Sequence, residues 1–173
     1  MFDFGLRGYR PHWHDRADSV TARHGQRLSS LIGRRFTSGW LVWDHSNDTW
    51  FADCPVVFDF DGEQVEVNHR KFTEVSITWN SIDTTNDPVW PTSHDFRLTW
   101  RADVLPGEIN LRSERLNAID VLEWIGDRDD LANGTIALSL VMSGGRITVY
   151  NALDENGIKT GDLDSNWHRC PLH

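Results

Sequence analysis

Apolar and polar residues alternate with a period of two over much of this chain. Val56, Phe58 and Phe60 fall on one side of a stretch whose other side carries Val57 and Asp59. Val65 and Val67 alternate with Gln64, Glu66 and Asn68, and the pattern returns in Val75/Ile77/Trp79 and Phe96/Leu98/Trp100. Successive side chains of a strand point to opposite faces, so one apolar and one polar face indicates an antiparallel sheet that is wet on one side. The pattern predicts strands near residues 36–44, 54–60, 63–69, 72–79, 95–100, 116–124, 135–142 and 146–150. "FDGEQ" and "MSGGR" read as tight hairpin turns, and Asn-Gly at 133–134 and 156–157 as further turns.

Helical signal is sparse. One short helix is expected over about 19–32, with Gly33 as its stop. "DVLPGEINLRSERL" offers an equivalent turn ahead of the second half. The pattern of strand, acidic segment, strand, Gly turn and strand occurs twice, over 31–77 and 111–158. Val56, Phe58 and Phe60 then correspond to Ile136, Leu138 and Leu140, and Val65 and Val67 to Ile147 and Val149. The expected fold is a mainly β antiparallel sandwich or partly open barrel, built from two similar halves with one or two short helices; the alternative is α+β. The chain reads as one domain of 173 residues: a basic arm 1–18, a first half 19–83, a connecting loop 84–95, a second half 96–158 and an irregular tail 159–173.

Charge sharpens this picture. Residues 1–35 hold seven arginines against Asp3, Asp15 and Asp18, yet the whole chain carries −9. From Phe36 to His69 there are seven acids and no Lys or Arg. Such a body repels nucleic-acid phosphates and attracts basic proteins. No run approaches the ~18 apolar residues of a membrane span, and the start lacks the apolar region of a secretory signal, so a cytoplasmic protein without membrane or nucleic-acid partners is expected. Two cysteines, Cys54 and Cys170, make no disulfide framework.

Candidate chemistry is limited. His12-x-His14 and the group His168, Cys170, His173 are residue types that suit zinc, but in no standard ligand spacing. The aspartates 44, 48, 53, 59 and 61 lack the spacing of a calcium loop. A glycosidase pair such as Asp53 and Asp59 needs two carboxylates ~5–9.5 Å apart in a cleft. Cys54 with His45 or His69 is a conceivable nucleophile pair, but no motif selects it. Phosphate-loop and dinucleotide fingerprints are absent, and neither cofactor nor metal is expected.

There are nine tryptophans. Trp40, Trp79 and Trp100 fall on apolar faces, while Trp43, Trp50, Trp90 and Trp167 fall at strand ends or in loops. The leading expectation is a non-enzymatic module that binds a basic protein, such as an immunity protein or inhibitor, through two acidic segments. Its binding residues would be Asp44, Asp48, Trp50 and Asp53 from one segment and Asp127, Asp129 and Asp130 from the other, all six aspartates largely exposed. The alternatives are a small-ligand or carbohydrate-binding module, or a hydrolase using acidic residues. A pocket with converging Trp and Asp favours these two; a convex acidic face favours the first.

Overall fold

The computed structural model describes residues 4–92, 95–106, 111 and 113–172. Among these the chain forms β1 (Trp13–His14), helix α1 (Ala17–Ser29), β2 (Phe36–Asp44), β3 (Thr49–Trp50), β4 (Val56–Phe60), β5 (Glu63–Arg70), β6 (Glu74–Trp79), β7 (Leu98–Ala102), β8 (Leu116–Trp124), β9 (Ile136–Met142), β10 (Gly145–Asn151), β11 (Asn156–Thr160) and β12 (Trp167–Cys170). The protein is mainly β, with two antiparallel sheets, one helix and no closed barrel among the described residues. No helix there is long and apolar enough to cross a membrane.

The sheets share one strand order. The first runs β7-β2-β4-β5-β6, with β1 added beside β6 and β3 pairing the far end of β2. The second runs β12-β8-β9-β10-β11. Registers match as well. Phe36 lies opposite Phe60 and Leu116 opposite Met142, and in each case the next residue of the long strand is skipped in a bulge. Phe58 therefore corresponds to Leu140 and Val56 to Leu138, because Gly39 and Ile119 are their respective partners. The sequence alignment of Val56, Phe58 and Phe60 with Ile136, Leu138 and Leu140 is thus two residues out. Alternation fixes which face a residue takes but not how far a strand slides by pairs. Val65 and Val67 do correspond to Ile147 and Val149.

Arg35 pairs with Arg115 in an isolated antiparallel bridge. Matched hydrogen bonds surround it. Gly33 N–H reaches Leu116 O at 2.7 Å, as Ser113 N–H reaches Phe36 O at 2.9 Å. Leu116 N–H reaches Arg34 O at 2.9 Å, as Phe36 N–H reaches Glu114 O at 2.8 Å. Each of these bonds is the other under exchange of the halves, which places a local twofold axis at the bridge.

One core lies between the sheets. Leu41, Val56, Phe58, Phe60, Val65, Val67 and Ile77 of the first meet Ile119, Val121, Leu138, Leu140, Ile147 and Val149 of the second. Burial of each such side chain is worth about 1.5–3 kcal/mol. Helix α1 closes one side. Its buried residues Ala17, Val20, Thr21, His24 and Leu28 recur at helical spacing, with Asp18 in the first turn and Arg27 in the last, where each suits the helix dipole.

A second cluster covers the outer face of the first sheet. Phe4, Leu6 and Tyr9 pack there with Val42, Val57, Cys54, Ile82 and Leu98, flanked by Trp40, Trp90, Phe96 and Trp100. From Phe4 onward the basic arm is therefore docked along this sheet. Gly5 makes the approach possible, since a Cβ there would stand 1.9 Å from the Val89 oxygen. The tail, expected to be irregular, supplies the last two residues of β11 and all of β12, and Asn156-Gly157 opens β11 rather than making a turn. Of the segment 103–116, where a turn is expected, residues 107–110 and 112 lie outside the described residues, and the described ones form no helix.

Candidate functional site

The outer face of the second sheet is open where that of the first is filled. Trp124 of β8 stands opposite Trp167 of β12, and their rings meet edge to face at 5.0 Å. Thr148 and Tyr150 of β10 and Lys159 of β11 continue the same face. Tyr150 lies across Gly157, where a Cβ would come within 2.4 Å of the ring. Together with Ala132, Thr135, Asn151 and Asp164 these residues enclose a cavity of about 290 Å³.

Hydrogen bonds hold its walls. The indole N–H of Trp124 donates to Asp130 Oδ2 at 2.7 Å, and Asp130 Oδ1 accepts from Ala132 N–H at 2.8 Å. The indole and this N–H hold the Asp130 carboxyl below the ordinary aspartate range, against the opposing effect of burial. Lys159 Nζ pairs with Asp164 at 2.7 Å at the rim. At the floor Ser139 and Thr148 hydroxyls bond at 2.9 Å, and Arg146 donates to Ser139 at 2.6 Å and to Asp120 at 3.0 Å. The cavity thus offers three aromatic rings, hydroxyls and one ion pair, carried by strands β8, β10, β11 and β12 and by the two loops 125–135 and 161–166.

Two larger hollows are less well built. One, about 560 Å³, lies between Gly5–Arg7 and the 82–91 loop. Its Asp83 is committed to Thr85 and Asn86. The other, about 600 Å³, is a depression beside His12, His14 and Arg23. Sites carried by strands hold their geometry better than sites carried by loops, which favours the second-sheet cavity.

The expected acidic residues divide. Asp127 and Asp129 are exposed; so is Asp48, which accepts from the Trp43 indole at 2.9 Å. Asp53 and Asp130 are half-buried. Asp44 is 1% exposed, against the expectation of a surface carboxylate. It accepts from Ser46 N–H at 2.9 Å and Asn47 Nδ2 at 2.7 Å, and so closes the β2–β3 turn from within. Burial pushes its pKa up, but these donors outweigh it and hold the carboxyl below its ordinary value. Trp50 pairs with Trp43 and packs half-buried against the core. Among the described residues no hydrogen bond or ion pair joins the 44–53 group to the 127–130 group.

Asp53 is instead grouped with Asp154 and Glu155. Burial raises its pKa, and those two carboxylates raise it further. The sequence conceals this group, because the chain between them spans most of both halves. The proposed Asp53–Asp59 pair does not converge: Asp53 precedes β4, whereas Asp59 near its far end accepts from Gly62 N–H at 2.9 Å. Cys54 is buried and its thiol is pushed well up, so it is no nucleophile. His45 is engaged with Thr99 at 2.7 Å, and both ring nitrogens of His69 have partners.

Both cysteines are free. His168 stands opposite Glu123 in β12, and His173 lies outside the described residues. No three or more His, Cys, Asp or Glu side chains among the described residues are placed to hold a metal ion. No family model matches the chain, and no match was found among curated proteins or solved structures.

Proposed function

We propose that this is a binding protein whose outer second-sheet cavity takes a small, flat, hydroxylated ligand of the carbohydrate kind. The observation that carries this reading is the contrast between corresponding faces. In the first sheet the chain's own Phe4, Leu6 and Tyr9 fill the face; in the second, Trp124, Tyr150 and Trp167 border an open cavity. Aromatic faces with nearby hydroxyls suit a ring that is apolar on its faces and polar at its rim. Ligand pockets run from about 300 Å³ upward, so this one fits a single ring rather than a chain of them. Asp130 and Asp164 are both held by partners on the chain, which supports binding over acid–base chemistry. The common strand order and the axis at Arg35–Arg115 support an internal duplication in which one ligand face has been closed. The test is a panel of monosaccharides and ring polyols titrated by NMR. Shifts confined to residues 124–135, 148–151 and 159–167, lost in Trp167→Ala, bear the reading out; no shift with any member removes it.

A second reading, a basic protein partner in a cytoplasmic setting, is favoured by Asp53. Its carboxylate lies among Asp154 and Glu155 with no ion pair to a Lys or Arg among the described residues, and Leu153 beside them is 64% exposed. Electrostatic complementarity would speed association with such a partner and make it salt-dependent. Asp53→Asn with Glu155→Gln should slow capture of the partner at low salt; equal rates at low and high salt would exclude it.

A further inference from the structure

Three histidines meet where the N-terminal strand, the helix and β6 come together. The His12 and His14 rings lie 4.9 Å apart, and those of His14 and His24 5.4 Å apart. His14 thus touches both of the other rings. His14 is 6% exposed and His24 7%, and the Nε2 atom of each is buried with no partner.

Hydrogen bonds fix the tautomers. The single hydroxyl proton of Ser19 goes to Arg16 O at 2.9 Å, so the 2.8 Å contact between Ser19 Oγ and His14 Nδ1 is donated by the ring. His14 therefore carries its proton on Nδ1 and a bare lone pair on Nε2. At His24, Nδ1 accepts from the Trp79 indole at 3.2 Å, so a neutral ring carries its proton on Nε2. One orphan acceptor and one orphan donor thus lie on adjacent rings. They suit each other, or one bridging water, only while both rings are neutral. A second proton on His14 would set two N–H donors against each other in a buried space.

The surroundings offer little relief. From the helix, Arg23 and Arg27 act on the pair, and from the strand, His12 does so. Asp15 is the one carboxylate that acts on His14. Glu63 of β5 is taken by Arg27 at 2.6 Å, and Glu74 of β6 by Arg70 and Lys71. From β8, Glu123 acts on Arg16 and on Cys170 of β12.

We infer that the His14–His24 pair is a pH-sensitive latch: it holds β1 and α1 against β6 at neutral pH and releases them on acidification, while the two sheets persist. Burial holds both rings below the ordinary histidine value, His24 at about 4. An imidazole whose folded pKa is depressed contributes stability above the unfolded value, 6.5, and loses it as pH falls from 6.5 toward the folded value. The latch therefore loosens between pH 6.5 and 4. Its release uncovers the Trp79 side of β6 and frees the segment that covers the first sheet.

The experiment is amide hydrogen exchange on the full chain at pH 7 and pH 5, corrected for intrinsic rates, for wild type and for His14→Gln/His24→Gln. Residues 13–29 of the wild type should lose protection roughly tenfold at pH 5. In the double variant their loss should be no more than about twofold, within the scatter of surface effects. A wild type whose 13–29 protection is unchanged, or a double variant that keeps the tenfold loss, overturns the latch. If the double variant does not fold, histidine NMR titration of the wild type decides: midpoints below 6 for His14 and His24 sustain the latch, and ordinary midpoints near 6.5 refute it.

Discussion

The imidazole of His69, on the first sheet, stands with Nε2 2.9 Å from the main-chain oxygen of Ile136, on the second. Its Nδ1 lies 3.0 Å from Asn156 Oδ1. A neutral ring donates to only one of these two oxygens of the opposite half, so its other nitrogen faces an oxygen with no proton between them. Asn156 ties the same knot further, donating to Ala52 O at 2.8 Å, Cys54 O at 2.9 Å and Asn68 Oδ1 at 2.7 Å.

Full burial holds His69 at about 4, although its two hydrogen bonds pull the other way. It is neutral in the fold, so stability is greatest above 6.5 and falls as pH drops from 6.5 to about 4. The loss is roughly 3 kcal/mol for a group of this kind. Urea melts at pH 7 and pH 4.5 measure it. His69→Asn should be less stable at pH 7 but show a shallower dependence over this range; an unchanged slope assigns the acid lability elsewhere.

Phe58 and Leu138 are both fully buried between the sheets. Truncation of either to Ala should cost roughly 2–5 kcal/mol, from lost burial and the cavity left behind. Chemical denaturation checks this, and a loss under about 1 kcal/mol would contradict the packing assigned to them.

Gly157 and Tyr150 form a coupled pair, since the ring occupies the place a Cβ would need. Gly157→Ala should destabilise by about 1–3 kcal/mol and displace the ring from the cavity wall. In the background of Tyr150→Ala the same substitution should cost much less, and a double-mutant cycle reports the difference. Additive costs would mean that the clash is absorbed by the backbone.

Asp44 and Asp53 should respond oppositely to neutralisation. Asp44→Asn replaces one of the two acceptor oxygens inside the turn with an NH2 donor and should cost about 1–3 kcal/mol. Asp53 has a raised pKa, so its charge costs stability in full above that raised value, and the cost fades as pH falls from there to the unfolded value near 3.9. Asp53→Asn should therefore stabilise at pH 7, by less than about 1 kcal/mol because the group is partly solvated. The gain should disappear by pH 3.5. Thermal melts of both variants at the two pH values distinguish them.

The two long strands were legible from alternation alone: 36–44 and 116–124 are β2 and β8. Each carries an alternating apolar stretch that ends in or near Trp, although a bulge shifts its phase near the start. The short strands β1, β3 and β12 were not, because two to four residues show no period, and their pairing is decided by an already formed neighbour. Asn156-Gly157 misled for a related reason: its turn chemistry is local, whereas its burial against His69 depends on the other half. The cavity was hidden because Trp124, Thr148, Lys159 and Trp167 come from four strands, and nothing short of the register assembles them. Asp44 looked like a surface acid because composition does not reveal that its acceptors face its own turn.

The bridge between Arg35 and Arg115 bears on how the protein comes apart. Each sheet uses the other as the lid of its apolar face, and the axis joins them through main-chain bonds rather than through a linker. The first sheet keeps a smaller cluster on its outer face, but the core between the sheets belongs to both halves. Melting should accordingly be a single cooperative event for the sheets, and a protease cut in the 84–95 connection should leave two fragments that remain one folded particle until both unfold together.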